Sequence, residues 1–177
     1  MRNTEIIFSG LGGQGIILTG YITGKAATIY DDLFATMVQS YGPESRGGSC
    51  STQLIVSDKD VTYPIVAHPD ILIVMSQGAY NKYASELKPG GIMLVEENMV
   101  KMDAPRKDVK IMKIPASKLA EEVGKRMVAN IVMLGFFAAK TKVVSDKAMQ
   151  EAIKSSVPPG TEELNIKAFL KGYNYGT

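Results

Sequence analysis

The sequence is poor in the side chains that most often hold metals or perform nucleophilic chemistry. Its 177 residues include one cysteine, Cys50, and one histidine, His68. A single cysteine excludes an internal disulfide and a four-cysteine iron–sulfur cluster within this chain. A single histidine removes most zinc sites and any dependable histidine-based triad. We therefore predict no metal site and no complete catalytic set here, and expect any redox metal to lie on another chain.

The sequence also has no marked excess of charge of one sign and no long apolar run. Twenty Lys and Arg residues stand against eighteen Asp and Glu residues, which leaves a net charge of +2. This balance argues against nucleic acid or a membrane as the main partner. No uninterrupted apolar stretch is long enough to span a bilayer, and the N-terminus has no signal pattern. We expect a cytoplasmic protein folded as one domain over residues 1–177.

The most informative segment is FSGLGGQGIILTG at residues 8–20. Residues 4–9 are typical of a buried strand, and the apolar spacing from Gln14 to about Tyr30 predicts a helix. A glycine-rich turn at a strand-to-helix junction lets backbone N–H groups approach an anion closely, and the helix start favours negative charge. We therefore predict a phosphate site at the turn. The alternative is that these glycines only form a tight turn, because this glycine pattern alone is a weak signal.

A second loop, QSYGPESRGGS, follows the strand predicted at residues 33–38. If the sheet is parallel, this loop emerges at the same carboxyl edge as the glycine turn, where ligands of open α/β sheets bind. Arg46 combines a permanently charged, planar guanidinium with the pliable backbone of Gly47 and Gly48. We predict that this loop faces an anion or another subunit. The alternative is that its charged side chains are merely solvated.

Strands that alternate with helices predict an α/β fold with a mainly parallel, Rossmann-like sheet and helices on both faces. One antiparallel hairpin is expected, with strands at residues 50–56 and 61–64 and a turn at 57–60. A helical stretch at 116–142 is expected to break near Gly124. Further strands are predicted at residues 71–75, 92–95 and 109–114, and further helices at residues 78–87 and 145–157. A final helix is predicted to begin after Thr161, its N-cap, and to end at about residue 172.

A nicotinamide dinucleotide is the first alternative ligand for the glycine turn. That site needs an acidic residue at the end of the second strand. Asp31 and Asp32 precede the predicted strand, which disfavours this ligand. Cys50 is interpreted as a packed core residue rather than a nucleophile. Asn130 is expected to fix a helix contact, with contact to a neighbouring chain as the alternative.

Five motifs occur in an order that resembles the gamma subunit of 2-oxoacid:ferredoxin oxidoreductases, over about residues 5–172. They are GLGGQGIILTG, QSYGPESRGGS, PDILIVMSQGAYNKYASELKPGGIML, ANIVMLG and VPPGTEELNIKAF. The pairing of GxGGQG with YGPESRGG is the specific part of this resemblance. The QSYGPESRGG form looks most like the 2-oxoglutarate enzymes. The resemblance therefore favours 2-oxoglutarate as the substrate, with branched-chain 2-oxoacids and pyruvate as the next candidates.

The resemblance implies oxidative decarboxylation of a 2-oxoacid with coenzyme A, giving acyl-CoA, carbon dioxide and reduced ferredoxin. It places thiamine diphosphate between the alpha and beta subunits, and iron–sulfur clusters in the beta and delta chains. The gamma subunit contributes the coenzyme A side and meets ferredoxin only indirectly. By the same resemblance, coenzyme A is approached by Gly12, Gly13, Gln14 and Gly15 of the first loop and by Arg46, Gly47 and Gly48 of the second. Arg46 facing the alpha subunit is the alternative.

Two other function classes stay open at this point. One is a stand-alone NAD(P)-dependent oxidoreductase, in which the glycine turn binds a dinucleotide. The other is an assembly scaffold with a vestigial turn. The scaffold predicts no effect of any cofactor on thermal stability.

Overall fold

A computed structural model describes residues 3–42, 47–61 and 63–177. Within these ranges six strands form one sheet in the order β2-β3-β1-β4-β5-β6. The strands are β1 (Asn3–Leu11), β2 (Phe34–Tyr41), β3 (Ser49–Ser57), β4 (Ile71–Val74), β5 (Ile92–Glu96) and β6 (Lys110–Ile114).

Six α-helices connect and cover these strands in the described part of the chain. They are α1 (Ile16–Lys25), α2 (Gln77–Tyr83), α3 (Ala116–Val123), α4 (Ala129–Thr141), α5 (Asp146–Lys154) and α6 (Glu162–Gly176). A π-helical turn, Ala26–Tyr30, extends α1, and a 3₁₀ turn, Arg126–Val128, leads into α4. Serine side chains cap the first turns of α2 and α5. These caps satisfy backbone donors that have no partner within the helix.

The sheet is parallel except at β3. β1, β4, β5 and β6 pair in parallel, whereas β3 runs antiparallel to both of its neighbours, β1 and β2. Of the described strands, five therefore point the same way. This architecture confirms the predicted α/β fold with a mainly parallel sheet and one antiparallel hairpin.

Alternate strand residues pack into two separate apolar clusters, one on each face of the sheet. Ile6 and Phe8 belong to the larger cluster, which includes residues of α1, α3, α4, α5 and α6. Ile7 points the other way, into the smaller cluster with residues of α2. This alternation follows from the two-residue period of a strand. The prediction of helices on both faces is confirmed.

The position of the hairpin was predicted incorrectly. The described residues of the segment 61–64 are not in a strand, and Thr62 lies outside the described residues. The hairpin is formed instead by β2 and β3, which pair from Phe34 opposite Ser57 to Tyr41 opposite Cys50. β2 continues past residue 38 because it is an edge strand, where polar side chains such as Gln39 and Ser40 remain in contact with water.

The helix boundaries confirm two predictions and correct a third. The break near Gly124 is present, because this glycine adopts a φ of 123° at the end of α3. α6 begins after Thr161, but this hydroxyl donates to the carbonyl oxygen of Pro158 and accepts from the side chain of Asn165, so it does not cap a backbone N–H of the helix. α6 also extends to Gly176, beyond the predicted end at Gly172. Gly172 lies mid-helix because it permits close approach to α4.

Candidate functional site

The two predicted loops lie in contact at the carboxyl edge of the sheet. The backbone N–H of Gly12, directly after β1, donates to the carbonyl oxygen of Gly48 at 2.8 Å. A Cβ atom on Gly12 would lie 3.5 Å from the backbone nitrogen of Gly47, so the two backbones are neighbours. The loop begins at the end of β2 and returns at the start of β3. The structure therefore brings together Gly12, Gly47 and Gly48, while Arg46 lies outside the described residues.

The glycines of the first loop have different surroundings. Gly13 and Gly15 both adopt positive φ, 92° and 71°, a region that costs other residues conformational energy. A Cβ on Gly15 would lie 2.3 Å from Nδ2 of Asn130, so Gly15 is needed for close packing. A Cβ on Gly13 would meet no atom within 4 Å. The Cβ side of Gly13 is therefore open, and an external ligand can approach this glycine there.

Gln14 holds the turn in place. Its side-chain oxygen accepts from the N–H of Leu11 at 2.7 Å, and its Nε2 donates to the carbonyl oxygen of Met75 at 3.0 Å. Both ends of the amide are thus used to join the turn to the chain just after β4. Contact between Gln14 and a ligand stays a prediction.

Two cavities open beside the turn, and Gly13 and Met127 line both of them. The first, which we call the edge cavity, measures about 310 Å³. It is lined by Gly13, Gln14, Met75, Met99, Ser117, Arg126, Met127 and Ala129. The second, which we call the helix cavity, measures about 250 Å³. It lies among α1, α4 and α6 and is lined mainly by apolar side chains.

Positive charge is concentrated at the connection between α3 and α4. Lys125 lines the helix cavity and Arg126 lines the edge cavity. Both side chains are exposed, and Arg126 Nε lies 3.8 Å from a carboxylate oxygen of Glu121. The first turn of α1 adds backbone N–H groups that have no partner within the helix, and the helix dipole favours an anion at this N-terminus. The geometry is suited to binding a phosphorylated ligand.

Sequence reasoning missed Lys125 and Arg126 as site residues. The available signal was their position directly after Gly124, where two adjacent basic side chains follow a helix break. Asn130 was predicted to have a structural role, and this is confirmed: its Nδ2 donates to the carbonyl oxygen of Gly15 at 3.3 Å.

Cavity size alone does not select this site. A groove of about 340 Å³ lies between α1 and β2, and another cavity, of about 360 Å³, lies at the amino edge of the sheet near Asn3. Neither is lined by residues of the two glycine loops. We select the cavities at Gly13 because helix dipole, basic side chains and open glycine backbone coincide there.

The residues considered for other chemistry have structural roles. Asp31 accepts from the backbone N–H and the hydroxyl of Ser145, at 2.6 and 2.7 Å, and so joins the end of the π-helical turn to α5. Cys50 is buried in the larger cluster, and burial raises the pKa of its thiol. The interpretation of Cys50 as a packed core residue is confirmed. Across residues 3–42, 47–61 and 63–177, no three metal-ligating side chains are grouped together.

No helix in the described part of the chain has the length and apolar character needed to cross a bilayer.

Comparison with known proteins gives matches along nearly the whole chain. The family model for pyruvate ferredoxin/flavodoxin oxidoreductase matches residues 5–175. The 2-oxoglutarate synthase subunit KorC of Methanocaldococcus jannaschii is 50% identical over 171 residues, which cover 96% of this chain and 91% of that protein. The KorC subunit of Methanothermobacter marburgensis is 47% identical, with 95% and 94% covered.

Solved structures show the same fold. The gamma subunit of a keto/oxoacid ferredoxin oxidoreductase from Geobacter sulfurreducens matches with a TM-score of 0.87 and 41% identity, covering 98% of each chain. A 2-oxoglutarate:ferredoxin oxidoreductase from Magnetococcus marinus, solved with 2-oxoglutarate, coenzyme A and succinyl-CoA bound, also gives a TM-score of 0.87. It is 22% identical, and the match covers 99% of this chain and 31% of that longer one.

Proposed function

The chain belongs to the pyruvate ferredoxin/flavodoxin oxidoreductase family, and on that premise we propose that it is the gamma-type, coenzyme-A-side subunit of a 2-oxoglutarate:ferredoxin oxidoreductase. The assembled enzyme oxidatively decarboxylates the 2-oxoacid to acyl-CoA and carbon dioxide and reduces ferredoxin. This chain forms a single domain over residues 1–177 and supplies no catalytic residue.

The observation that supports coenzyme A binding is the contact between the two glycine loops beside open space. The N–H of Gly12 donates to the carbonyl oxygen of Gly48, and the next residue, Gly13, is exposed, with no atom within 4 Å of the position that a Cβ would take. A diphosphate needs such exposed N–H groups together with positive potential, which the first turn of α1 provides. We propose that Gly12, Gly13, Gln14 and Gly15 surround the diphosphate of coenzyme A, with Arg46, Gly47 and Gly48 approaching it from the second loop.

The redox centres belong to partner subunits in this proposal. One cysteine cannot supply the four thiolates of an iron–sulfur cluster. We therefore assign thiamine diphosphate and the clusters to alpha, beta and delta subunits, and expect ferredoxin to bind there. Coenzyme A contributes the thiol that accepts the acyl group, and the residues of this chain hold and orient its phosphate-bearing part.

Sequence identity supports 2-oxoglutarate ahead of other 2-oxoacids. Three KorC relatives are 47–50% identical to this chain, and a fourth, from Archaeoglobus fulgidus, is 29% identical. A pyruvate synthase subunit PorC and a ketoisovalerate oxidoreductase subunit VorA, both from Methanothermobacter thermautotrophicus, are each 31% identical. Pyruvate and branched-chain 2-oxoacids are therefore the second candidates.

A stand-alone NAD(P)-dependent function is disfavoured by the topology. β3 lies between β1 and β2, so the end of β2 is not adjacent to the glycine turn as a dinucleotide site requires. Asp31, the acidic residue considered for the ribose, is bonded to Ser145 instead.

The proposal is tested on the complex purified with its natural partners. 2-Oxoglutarate, pyruvate and 2-oxoisovalerate are supplied in turn, with and without coenzyme A, and reduction of ferredoxin is followed. We expect the highest kcat/KM with 2-oxoglutarate and a strict requirement for coenzyme A. A preference for another 2-oxoacid would replace the substrate assignment, and turnover independent of coenzyme A would refute the role of this chain.

A further inference from the structure

The two edges of the sheet differ in charge. β6 forms one edge, and two of its five residues, Lys110 and Lys113, are exposed lysines. Lysines on an edge strand discourage pairing with a strand of another chain. β2 forms the other edge, and none of its eight residues is charged or is a proline. The β6 edge therefore carries a protection against strand pairing that the β2 edge lacks.

The backbone of β2 has an unpaired outer side. The N–H of Gly42, the residue after β2, donates to the carbonyl oxygen of Ser49 in β3 at 2.7 Å. Because bonds to one antiparallel neighbour fall at every second residue, the backbone groups of the residues between them point away from β3. These outward groups belong to Ala35, Met37, Gln39 and Tyr41. In the described part of the chain they have no hydrogen-bond partner.

Exposed apolar and aromatic side chains surround this unpaired edge. The groove of about 340 Å³ between α1 and β2 has Ala35 and Met37 in its wall. Such side chains beside an unpaired strand mark a contact surface for another chain. Four of them lie on α1, on the π-helical turn and at the two ends of β2: Tyr21, Ile29, Phe34 and Tyr41.

β2 is complementary to a second copy of itself. When two copies pair antiparallel with Val38 opposite Val38, Ala35 lies opposite Tyr41 and Met37 lies opposite Gln39. Every outward N–H and C=O of both strands then has a partner. No like charges meet, because the strand has no charged residue. Opposite side chains lie on the same face of a sheet, so Tyr41 of each copy lies beside the wall of the other copy's groove.

We propose that two copies of this chain associate through β2, so that one continuous sheet passes through both copies about a two-fold axis at Val38. A two-fold interface uses the same surface of each copy, and an uncharged, self-complementary strand meets that requirement. In the enzyme complex this contact joins two sets of subunits. The inference does not depend on which 2-oxoacid is used or on coenzyme A binding.

The first test removes one outward N–H from the strand. Proline is tolerated on an edge strand where its nitrogen faces away from the sheet, so Gln39→Pro is expected to keep the pairing of β2 with β3. The full chain is expected to sediment as a dimer at micromolar concentration. Gln39→Pro is expected to raise the Kd of the dimer about tenfold or more, because two hydrogen bonds are lost in each dimer.

Gln39→Thr is the matched control for this variant. Both substitutions remove the side-chain oxygen that accepts from the hydroxyl of Tyr41, but threonine keeps the backbone N–H. We expect Gln39→Thr to dimerise like the wild type, and urea unfolding to show that both variants are folded. A monomeric wild-type chain, or an equal Kd for the two variants, would overturn the proposal.

The second test identifies the register by cross-linking and does not depend on the proline variant. In a Cys50→Ala background, Val38→Cys places two thiols opposite each other at the axis. The Cα atoms of such a pair lie about 4.5 Å apart, within the range of a disulfide. Oxidised glutathione, which accepts the two electrons, is expected to give the covalent dimer both with the full chain and in the assembled complex.

Thr36→Cys and Ser40→Cys are the controls for the register. Position 36 of one copy lies opposite position 40 of the other, so equal positions are about 13 Å apart along the strand, too far for a disulfide. Neither variant alone is expected to cross-link, whereas a mixture of the two is. No cross-link in Val38→Cys, equal cross-linking of all three variants, or a cross-link to a different subunit in the complex would overturn the proposal.

Discussion

The N–H of Gly12 donates to the carbonyl oxygen of Gly48, and this bond joins two loops that are separated along the chain by α1 and β2. One loop is a strand-to-helix turn and the other is the tip of a hairpin. Each loop alone is a weak indication of a ligand site, since glycines serve turns of many kinds. Their contact beside two cavities is the observation on which the proposed phosphate site rests.

Replacement of Gly13 by alanine is expected to weaken coenzyme A binding more than it weakens the fold. Its φ of 92° makes any Cβ cost about 1 kcal/mol, and Gly13 lines both cavities. We expect Gly13→Ala to lose about as much stability as a control variant at another glycine with positive φ, and in addition to raise the KM for coenzyme A severalfold. Gly90→Ala is the matched control, because Gly90 has a φ of 79° and open surroundings at the opposite edge of the sheet. Equal effects of both variants on the KM would contradict a ligand at Gly13.

Replacement of Arg46 by alanine is expected to raise the coenzyme A requirement of the assembled enzyme. Charge-assisted hydrogen bonds contribute about 1.5–3 kcal/mol each, which corresponds to about tenfold or more in KM. Arg46→Lys keeps the charge but loses the planar fork, so an intermediate KM is expected. The measurement is the initial rate as a function of coenzyme A concentration. Unchanged dependence together with weaker retention of the alpha subunit would assign Arg46 to the subunit interface instead.

Replacement of Gly135 by alanine is expected to be strongly destabilising. A Cβ at Gly135 would lie 1.9 Å from the carbonyl oxygen of Phe169, so α4 and α6 must move apart. Overpacking of this kind costs about 3 kcal/mol, or a fall in Tm of about 6–12 °C for a chain of this size. Gly78→Ala in α2 is the control, since Gly78 is an exposed helical residue and a Cβ atom added there would have no other atom within 4 Å. Alanine at position 78 is expected to raise Tm slightly through its higher helix propensity. A fall in Tm as large in Gly78→Ala as in Gly135→Ala would contradict the close packing of α4 and α6.

The thiol of Cys50 is expected to react slowly in the folded protein and quickly in denaturant. Burial raises its pKa, so the reactive thiolate is scarce in the native state. Because the folded pKa lies above the unfolded value of about 8.5, this group favours folding fully below that pH and less as pH rises toward the folded pKa. Urea unfolding at neutral and alkaline pH should show a smaller pH-dependent loss in Cys50→Ala than in wild type. Rapid modification of native protein by a thiol reagent would show that Cys50 is accessible.

The sequence pattern predicted the buried strands well and the edge of the sheet poorly. β4 and β5 consist almost entirely of apolar runs and β1 contains one at residues 6–8, because both faces of these strands are covered, and such runs are visible in the sequence. β2 ends with Gln39, Ser40 and Tyr41, which resemble a loop since they lie on an exposed edge. The hairpin was therefore assigned one strand too late, although its existence was predicted correctly.

The site was only partly predictable for a different physical reason. Gly13 and Gly48 stand out because unusual backbone conformations and close approaches favour glycine. Lys125, Asn130 and Asn165 come from separate elements and line the same helix cavity, whose walls include α4 and α6, two helices that pack closely at Gly135 and Gly172. Pairwise proximity of this kind depends on helix packing, which local periodicity does not specify.

The reversed direction of β3 has a consequence for how members of this family can diverge. Since the loop at residues 42–48 is a hairpin tip anchored by regular pairing on both sides of β3, its length and charge can change while every strand keeps its register. Exchanging this loop between two homologues is therefore expected to change the charge next to Gly12 while β2 and β3 keep their pairing.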